Sequence, residues 1–483
     1  MKTVIIGNGI LALTTAFRLA RKAASSDKIV VIGKKTRPGS ATLAAAAMLN
    51  SFAEVEEGGL NSEIDLYRFE LSRQAARMWP KFALELKDAA GDRLPQALSK
   101  HEGMMGGGLG TYVINNTAAD SLDDSNFDAI LAALKRFEEP FELVDPQTIP
   151  NYSPEQQFRA TRALYIPSEG WLNPRLIIET VDAALLSFPQ IEFIDEQVDA
   201  LMRDGPRIVS VRLGNAQTIS GDRVLLASGA TVSEILDRSK LGIDIQRIFY
   251  GIGTSIEIIS PDAIHTKCVR TPNRGLACGL YTVPYFTTAE GVNDRVIVGA
   301  SNLVSHEPCE FGRIISVQSL LRGAMEQINT KFWNASVARV NVGWRPTSSD
   351  GYPVIGPTSI DNLIIATGTK RDGFHLAPLL SEFIASWVLG KKAANDLRFE
   401  WFAPERKLIR NHTREEAIEK AVKHMVSAQY QHGYVPAHGR MSELVIQMYR
   451  DDLEKLHDKV GARDWGIPPE MLQMYRYGHI KPR

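Results

Sequence analysis

The start of the chain constrains the fold more than any other segment. A short run of apolar, mostly β-branched residues, Thr3–Ile6, leads directly into the glycine-containing segment Gly7–Ala12. A helical pattern of apolar residues continues from Leu13 to Ala24, and a second apolar run occupies residues 29–32. This succession predicts a strand, a tight turn, a helix and a second strand within about 30 residues, as in a parallel βαβ unit.

Each small residue of the turn has a physical role. Gly7 permits the tight turn, Gly9 lets the backbone approach a pyrophosphate, and Ala12 lets the helix pack closely on the strand. The first turn of the helix, with Ile10 and Leu11, offers free N–H groups and a partial positive charge to phosphates. The segment therefore predicts a dinucleotide-binding site.

The second strand departs from the usual dinucleotide-binding pattern. An Asp or Glu at its end normally binds a ribose hydroxyl, whereas here Ile32 is followed by Gly33, Lys34 and Lys35. The ribose must therefore be bound by another group, or lack this contact. Because two lysines also suit a phosphate, the turn alone leaves FAD, NAD and NADP open as cofactors.

Composition excludes several classes of protein. The chain has 483 residues, enough for two or three domains, and a formal charge of -1, which gives no basic surplus for nucleic acid or anionic membranes. No apolar run reaches the ~18 residues of a membrane span. The three cysteines, Cys268, Cys278 and Cys309, are too few and too scattered for a disulfide framework, so we expect a cytoplasmic protein.

Several later motifs follow the N-terminal turn. They are a small-residue stretch, a strand and turn before a helix that starts at Pro174, a valine at a strand end, a second glycine turn and two closing segments. In chain order these are Ser40–Leu49, Leu164–Trp171, Val198, Val224–Ala230, Gly343–Pro357 and Leu363–Pro378. Together with Gly7–Ala12, they resemble the D-amino acid oxidase / glycine oxidase superfamily of flavoproteins from residue 3 to residue 395.

The resemblance is strongest in the segment that contains Arg345. Gly343–Pro346 and Asp350–Gly356 are similar to the family's G-x-R-P and D-G-x-P-x-I-G motifs. The resemblance implies an α/β fold with a discontinuous Rossmann-like FAD-binding domain, an antiparallel-sheet substrate domain and a C-terminal helical appendage. We expect the FAD-binding domain to comprise residues 1–50, 155–235 and 335–398, and the substrate domain residues 51–154 and 236–334.

Residues 399–483 lie outside the resemblance. This tail is charged and helical in pattern, and we expect it to form a C-terminal extension that offers a surface for a protein partner or a second copy of the chain. Its histidines His432, His438 and His457 lack the spacing of metal ligands, so we predict no metal site.

The resemblance implies FAD as the cofactor. We expect it to bind non-covalently, because residues 36–50 contain no His and residues 344–349 no Cys at the positions that relatives use for attachment. The residues expected to contact FAD are Gly7, Gly9, Ile10, Leu11, Ser40, Ala41, Thr42, Ala46, Met48, Val198, Gly229, Gly343, Arg345, Arg371, Asp372, Gly373, Phe374, His375 and Leu376.

Arg345 is the first candidate for substrate binding. A guanidinium holds both oxygens of a carboxylate at fixed spacing, and the resemblance places this arginine beside the flavin and the substrate carboxylate. Tyr281, Tyr285 and Tyr250 lie on strand-like segments and are candidates to hydrogen-bond a substrate or close its pocket. Aromatic packing within a sheet explains each tyrosine equally well.

The resemblance implies an oxidase of small-molecule amines or amino acids. Such an enzyme converts a C–N bond to an imine by hydride transfer to flavin, with O2 as acceptor and H2O2 as product. One open alternative is a dehydrogenase of the same fold that uses a quinone or a protein acceptor. Others are a tailoring enzyme acting on a carrier-bound amino acid, and a non-catalytic flavin-bearing assembly protein.

Overall fold

The computed structural model describes residues 1–100, 106–261, 265–275, 278–287, 293–391, 397–431 and 441–480. The strands in these ranges are β1 Lys2–Ile6, β2 Lys28–Ile32, β3 Met48–Leu49, β4 Gly108–Asn115, β5 Glu142–Val144, β6 Arg162–Trp171, β7 Ile191–Ile194, β8 Val198–Asp204, β9 Arg207–Leu213, β10 Thr218–Ile219, β11 Arg223–Leu226, β12 Ile248–Ile259, β13 Cys268–Arg270, β14 Tyr281–Tyr285, β15 Arg295–Gly299, β16 Leu303–Ser305, β17 Ser336–Ser348, β18 Val354–Pro357 and β19 Leu363–Thr367. The α-helices are α1 Ile10–Ala20, α2 Ala41–Ala44, α3 Glu63–Ala90, α4 Gln96–Lys100, α5 Ser121–Arg136, α6 Pro174–Leu185, α7 Val232–Ser239, α8 Ile314–Gly323, α9 Ala377–Val388, α10 Arg414–Gln431, α11 Met441–Val460 and α12 Leu472–Arg476.

A six-stranded sheet carries the N-terminal turn. Its order is β18-β19-β11-β1-β2-β7, and all neighbouring strands run parallel except the edge strand β18. The predicted strand, turn, helix and strand are confirmed as β1, the turn through Gly9, α1 and β2. Because neighbouring parallel strands end together, the turns after β1, β2 and β11 meet at one edge of the sheet.

Alternating residues of the central strands face opposite layers. Ile5 and Val31 pack with helices α1, α3, α6 and α9, whereas Val4 and Val30 pack with α7 and the three-stranded sheet β10-β9-β8. Both faces of the parallel sheet are therefore covered, which explains the continuous apolar runs that identify these strands in the sequence.

A second, larger sheet lies on the other side of the cavity described below. Its strands follow the order β16-β12-β15-β14-β13-β4-β6-β3, with β17 paired to β12 and β5 to β6. The pairings are antiparallel except for β4 with β13. The predicted α/β class is confirmed. The sheet predicted for the substrate domain is the larger one, and it is mixed rather than purely antiparallel.

Two predicted domain boundaries differ from the way in which the chain is divided between the two sheets. Arg162–Trp171 and Ser336–Ser348 were assigned to the FAD-binding domain, yet both strands pair within the large sheet. They return to the parallel sheet only after Trp171 and Ser348, so these two boundaries lie later in the chain than predicted.

The C-terminal extension folds against the large sheet. Helix α10, helix α11 and the segment around α12 share a hydrophobic core with Phe249 of β12 and Val304 of β16. The charged helices predicted for this region are confirmed as α10 and α11. Within the described ranges, no helix has the length and hydropathy that a bilayer crossing requires.

Candidate active site

A cavity of about 520 Å³ runs between the carboxyl edge of the parallel sheet and the large sheet. Its walls include the turns after β1 and β11, the small-residue stretch before β3, strand β17 and the turn before α9. These segments carry the motifs that resemble those of the flavoprotein superfamily, although they lie far apart in the chain. The cavity is therefore the candidate site for both cofactor and substrate.

The first glycine turn fits tightly at one end of the cavity. Gly7 has a φ of +116°, and a Cβ added there would lie 2.3 Å from the carbonyl oxygen of Ala227 on the neighbouring turn. Its N–H donates to Ile32 O at 2.8 Å, which joins the ends of β1 and β2. Gly9 is the N-cap residue of α1, so the helix N-terminus opens on the cavity. This geometry leaves backbone N–H groups and the positive end of the helix dipole available to an anion.

Glycine at position 33 is required by its neighbour in the turn. A Cβ at Gly33 would lie 2.6 Å from Asn8 Cγ, and Asn8 Nδ2 donates to Lys34 O at 2.8 Å. The acidic side chain on this wall is instead Glu196, which follows β7, the sheet neighbour of β2. Glu196 Oε1 lies 2.8 Å from Lys34 Nζ, and this hydrogen bond lowers the pKa of Glu196. The absence of an acidic residue at the end of β2 is thus matched by one from the next strand.

A buried hydroxyl marks the second glycine turn. Ser228 Oγ is buried at the cavity wall and has no hydrogen-bond partner among the described residues. The adjacent Gly229 has a φ of +65°. A buried hydroxyl without a partner is costly, so this atom fits a site where a bound ligand completes the hydrogen bond.

The small-residue stretch is packed against strand β17. A Cβ at Gly343 would lie 2.8 Å from Ala44 Cβ and 2.9 Å from Ala41 Cα, and one at Gly39 would overlap the ring of Trp344. Trp344 N donates to Gly39 O at 2.9 Å. Small side chains at these positions therefore let the backbone of the stretch lie flat along the cavity.

The guanidinium of Arg345 lies over Gly253 at the wall of the cavity. A Cβ at Gly253 on β12 would lie 2.3 Å from Arg345 Cζ. Arg345 Nη1 donates to Ser301 O at 3.0 Å and to Asn302 Oδ1 at 3.3 Å. Among the described residues, these acceptors engage Nη1 alone, so the rest of the guanidinium fork is positioned for a ligand.

Two of the three predicted tyrosines line the cavity. Burial raises the pKa of Tyr281, so its phenol stays neutral. Tyr250 donates a hydrogen bond to Glu234, and its ring meets Trp344 edge-to-face with centroids 5.5 Å apart. Tyr285 does not reach the cavity: it lies four residues beyond Tyr281 on β14, about 13 Å along the strand.

The turn before α9 closes the cavity. His375 O accepts a hydrogen bond from Trp79 Nε1 at 2.8 Å, and its Nε2 lies 2.9 Å from Ser72 O. Burial lowers the pKa of His375, so its ring stays neutral, and its contact with the cofactor through the backbone stays a prediction. Leu376 faces the hydrophobic core instead of the cavity, because α9 begins at the next residue.

The other predicted cofactor residues all line the cavity. They are Gly7, Gly9, Ile10, Leu11, Ser40, Ala41, Thr42, Ala46, Met48, Val198, Gly229, Gly343, Arg345, Arg371, Asp372, Gly373, Phe374 and His375. Their contacts with FAD stay a prediction.

Sequence reasoning missed Glu54 as well as Glu196 in the wall. Glu54 lies 2.5 Å from Arg270 Nη1 and 3.4 Å from Arg371 Nη1. Burial opposes ionisation of this carboxyl, but the two arginines outweigh it and lower the pKa of Glu54. Neither Glu54 nor Arg270 belongs to a motif, so only the fold brings them to Arg371.

The site fits a bound dinucleotide. The helix N-terminus, the unpartnered Ser228 hydroxyl and the glycine-lined walls belong to one continuous cavity. Among the described residues, no group of three or more His, Cys, Asp or Glu side chains has a metal-binding arrangement. His432 and His438 lie outside the described residues.

Similarity to known proteins agrees with this geometry. The family model DAO, FAD dependent oxidoreductase, matches residues 2–387. Glycine oxidase of Pseudomonas putida is 23% identical over 400 residues, which cover 82% of this chain and 96% of that protein. Glycine oxidase of Pseudomonas aeruginosa is 28% identical over 240 residues, which cover 49% of this chain and only 60% of that protein.

A solved structure shows the same fold. The crystal structure of glycine oxidase from Geobacillus kaustophilus has a TM-score of 0.68 at 20% identity, covering 84% of this chain and 99% of that chain. The family match extends from the first strand through most of α9 and leaves the C-terminal extension outside it. On the cavity and this match, the chain belongs to the DAO family of FAD dependent oxidoreductases and is an enzyme that uses FAD.

Proposed function

We propose that the enzyme oxidises the C–N bond of a small amine or amino acid that carries a carboxylate. The observation that carries this proposal is the Arg345 guanidinium, held at Nη1 by Ser301 O and Asn302 Oδ1 within the cavity of the FAD family site. A guanidinium fixed at one end binds a carboxylate with little loss of side-chain entropy. The glycine oxidases similar to this chain support an amino-acid substrate.

Bound FAD supplies a two-electron acceptor for this reaction. The substrate loses a hydride from the carbon and a proton from the nitrogen, so that C–N becomes C=N, and water then hydrolyses the imine. O2 takes up the two electrons and two protons as H2O2. Arg345 fixes the carboxylate, which orients the C–H bond of the next carbon.

Tyr281 is the proposed polar contact for the substrate nitrogen. Its neutral phenol can accept a hydrogen bond from an amine N–H without adding a charge to the site. The ring packs over Gly299, where a Cβ would lie 2.3 Å from Tyr281 Cζ, so its position on β14 is fixed. Tyr250, held by Glu234, shapes the wall beside Trp344.

An anaerobic substrate panel tests the proposal. D-, L- and N-methyl amino acids, together with amines that lack a carboxylate, are added to the FAD-loaded enzyme while absorbance is followed near ~450 nm, the band of oxidised flavin. We expect bleaching by one carboxylate-bearing class. Bleaching by simple amines alone would refute the carboxylate clamp, and no bleaching by any member would refute amine oxidation by free substrates.

Readmission of air identifies the acceptor. Recovery of the absorbance with formation of H2O2 would support the oxidase. Bleaching that persists in air but is reversed by a quinone would identify a dehydrogenase instead.

A further inference from the structure

The C-terminal extension reaches the wall of the cavity through partly buried charges. Lys420 on α10 lies 3.1 Å from Glu56 Oε2, and Glu56 Oε1 lies 3.9 Å from Arg371 Nη2. Arg371 in turn lies 3.4 Å from Glu54 Oε2, and both of these residues line the cavity. Charges of alternating sign therefore connect the extension to the site.

A second ion pair joins the extension to the same turn. Lys370 pairs with Glu470, which also accepts from Asn302 Nδ2 at 3.5 Å. Lys370 has a φ of +51°, a left-handed conformation that disfavours a residue with a Cβ. Its backbone N–H donates to Pro346 O at 2.9 Å, next to Arg345. The turn thus holds an unfavourable conformation between Pro346 and the extension.

Helix α10 is fixed by close backbone contact. A Cβ at Gly275 would lie 2.4 Å from His424 O, and Gly275 N donates to Ser427 Oγ at 3.0 Å. His424 itself is buried beside Glu56, and burial lowers its pKa to about 4, so it adds no charge at neutral pH. Lys420 is therefore the nearest cation that the extension offers to Glu56.

We propose that the extension clamps the turn 369–373 over the cofactor, with Lys420 and Glu470 as positioning residues. Loss of Lys420 would leave Glu56 with Arg371 as its main counter-ion, so Arg371 would shift from Glu54 toward Glu56. The turn would then leave the position in which it lines the cavity. The predicted effect on FAD affinity depends only on the binding of FAD in this cavity. The predicted effect on substrate affinity depends also on the proposed function.

The test compares two lysines on one helix. Lys423, one turn from Lys420, pairs with Glu57 at 2.6 Å on the exposed side of α10. FAD fluorescence is titrated with full-length apoprotein of the wild type, Lys420→Met and Lys423→Met. We expect Lys420→Met to raise the FAD Kd by roughly tenfold or more, because Glu56 loses its nearest counter-ion and draws Arg371 away from Glu54, and Lys423→Met to change it less than about twofold.

A double variant separates charge from packing. In Lys420→Met with Glu56→Gln, the carboxylate that would draw Arg371 from Glu54 is gone, so FAD affinity should recover to within about threefold of the wild type. Where Lys420→Met yields too little folded protein, Glu470→Gln is titrated in its place and should also weaken FAD binding. Equal FAD affinities for Lys420→Met and Lys423→Met, or no recovery in the double variant, would overturn the proposal.

The substrate readout uses the amino acid that bleaches the flavin. The clamp predicts that KM rises more than kcat falls in Lys420→Met, because Glu54 and Arg371 shift while the reacting atoms are unchanged. If no amine bleaches the flavin, the proposed function fails, yet the FAD titration still decides whether the extension clamps the turn.

Discussion

Substitution of Gly253 by alanine tests Arg345 without removing it. A Cβ at position 253 would lie 2.3 Å from Arg345 Cζ, whereas ordinary contact begins at 3.4 Å, so the guanidinium must move by about 1 Å. Because this group is the end of a flexible side chain, the fold should survive. A displacement of about 1 Å in a substrate-positioning group costs roughly 100-fold in rate, or about 2.7 kcal/mol.

The assay measures kcat/KM of Gly253→Ala relative to the wild type with two substrates. An amino acid should lose roughly 100-fold, and the matching amine without a carboxylate less than about threefold, since only the former binds the fork. In the double variant with Arg345→Ala, the glycine substitution should add no further loss, because its target is absent. Unchanged kcat/KM in Gly253→Ala, or additive losses in the double variant, would refute the reasoning.

Three further predictions concern the cofactor and acid stability. Gly7→Ala should abolish FAD binding, because its Cβ would lie 2.3 Å from Ala227 O in a turn with φ +116°; a normal flavin-to-protein ratio would contradict this. Glu196→Gln should weaken FAD affinity several-fold in apoprotein titrations without changing KM, whereas an unchanged Kd would exclude a ribose contact. His424 has a pKa of about 4 when folded and near 6.5 when unfolded, so unfolding takes up a proton as pH falls, and stability should drop by about 2 kcal/mol from pH 7 to pH 5. In urea denaturation His424→Leu should lack this part of the pH dependence, and equal pH dependence in both proteins would contradict it.

Local patterns were sufficient where the chain itself makes the contact. The helix predicted to start at Pro174 is α6, and its N-cap Asn173 accepts through Oδ1 from Leu176 N at 3.3 Å. The same holds for Gly7, since the turn that needs its positive φ is formed by adjacent residues. Such predictions succeed because capping and turn geometry depend on a few neighbours in sequence.

Contacts between distant segments were beyond the sequence. Glu196 lies on the cavity wall near position 33 only because β7 pairs with β2, and no local pattern reveals which strands are neighbours. Tyr281 and Tyr285 have the same strand pattern, yet only Tyr281 lines the cavity. Leu376 sits inside a motif, but the start of α9 turns its side chain to the core.

The sequence by itself determined the first βαβ unit, the class of cofactor and the position of Arg345 within a motif. These depend on short-range periodicity, on glycines and on segments that recur in a family. Only the tertiary structure decided which charges meet at the cavity. Lys420, Glu56, Arg371 and Glu54 are spread over some 370 residues of sequence but form one line of ion pairs, because α10 packs on the large sheet beside the turn that closes the site. Coulomb interactions act over a few ångströms of space, so their partners are set by the fold and not by spacing along the chain.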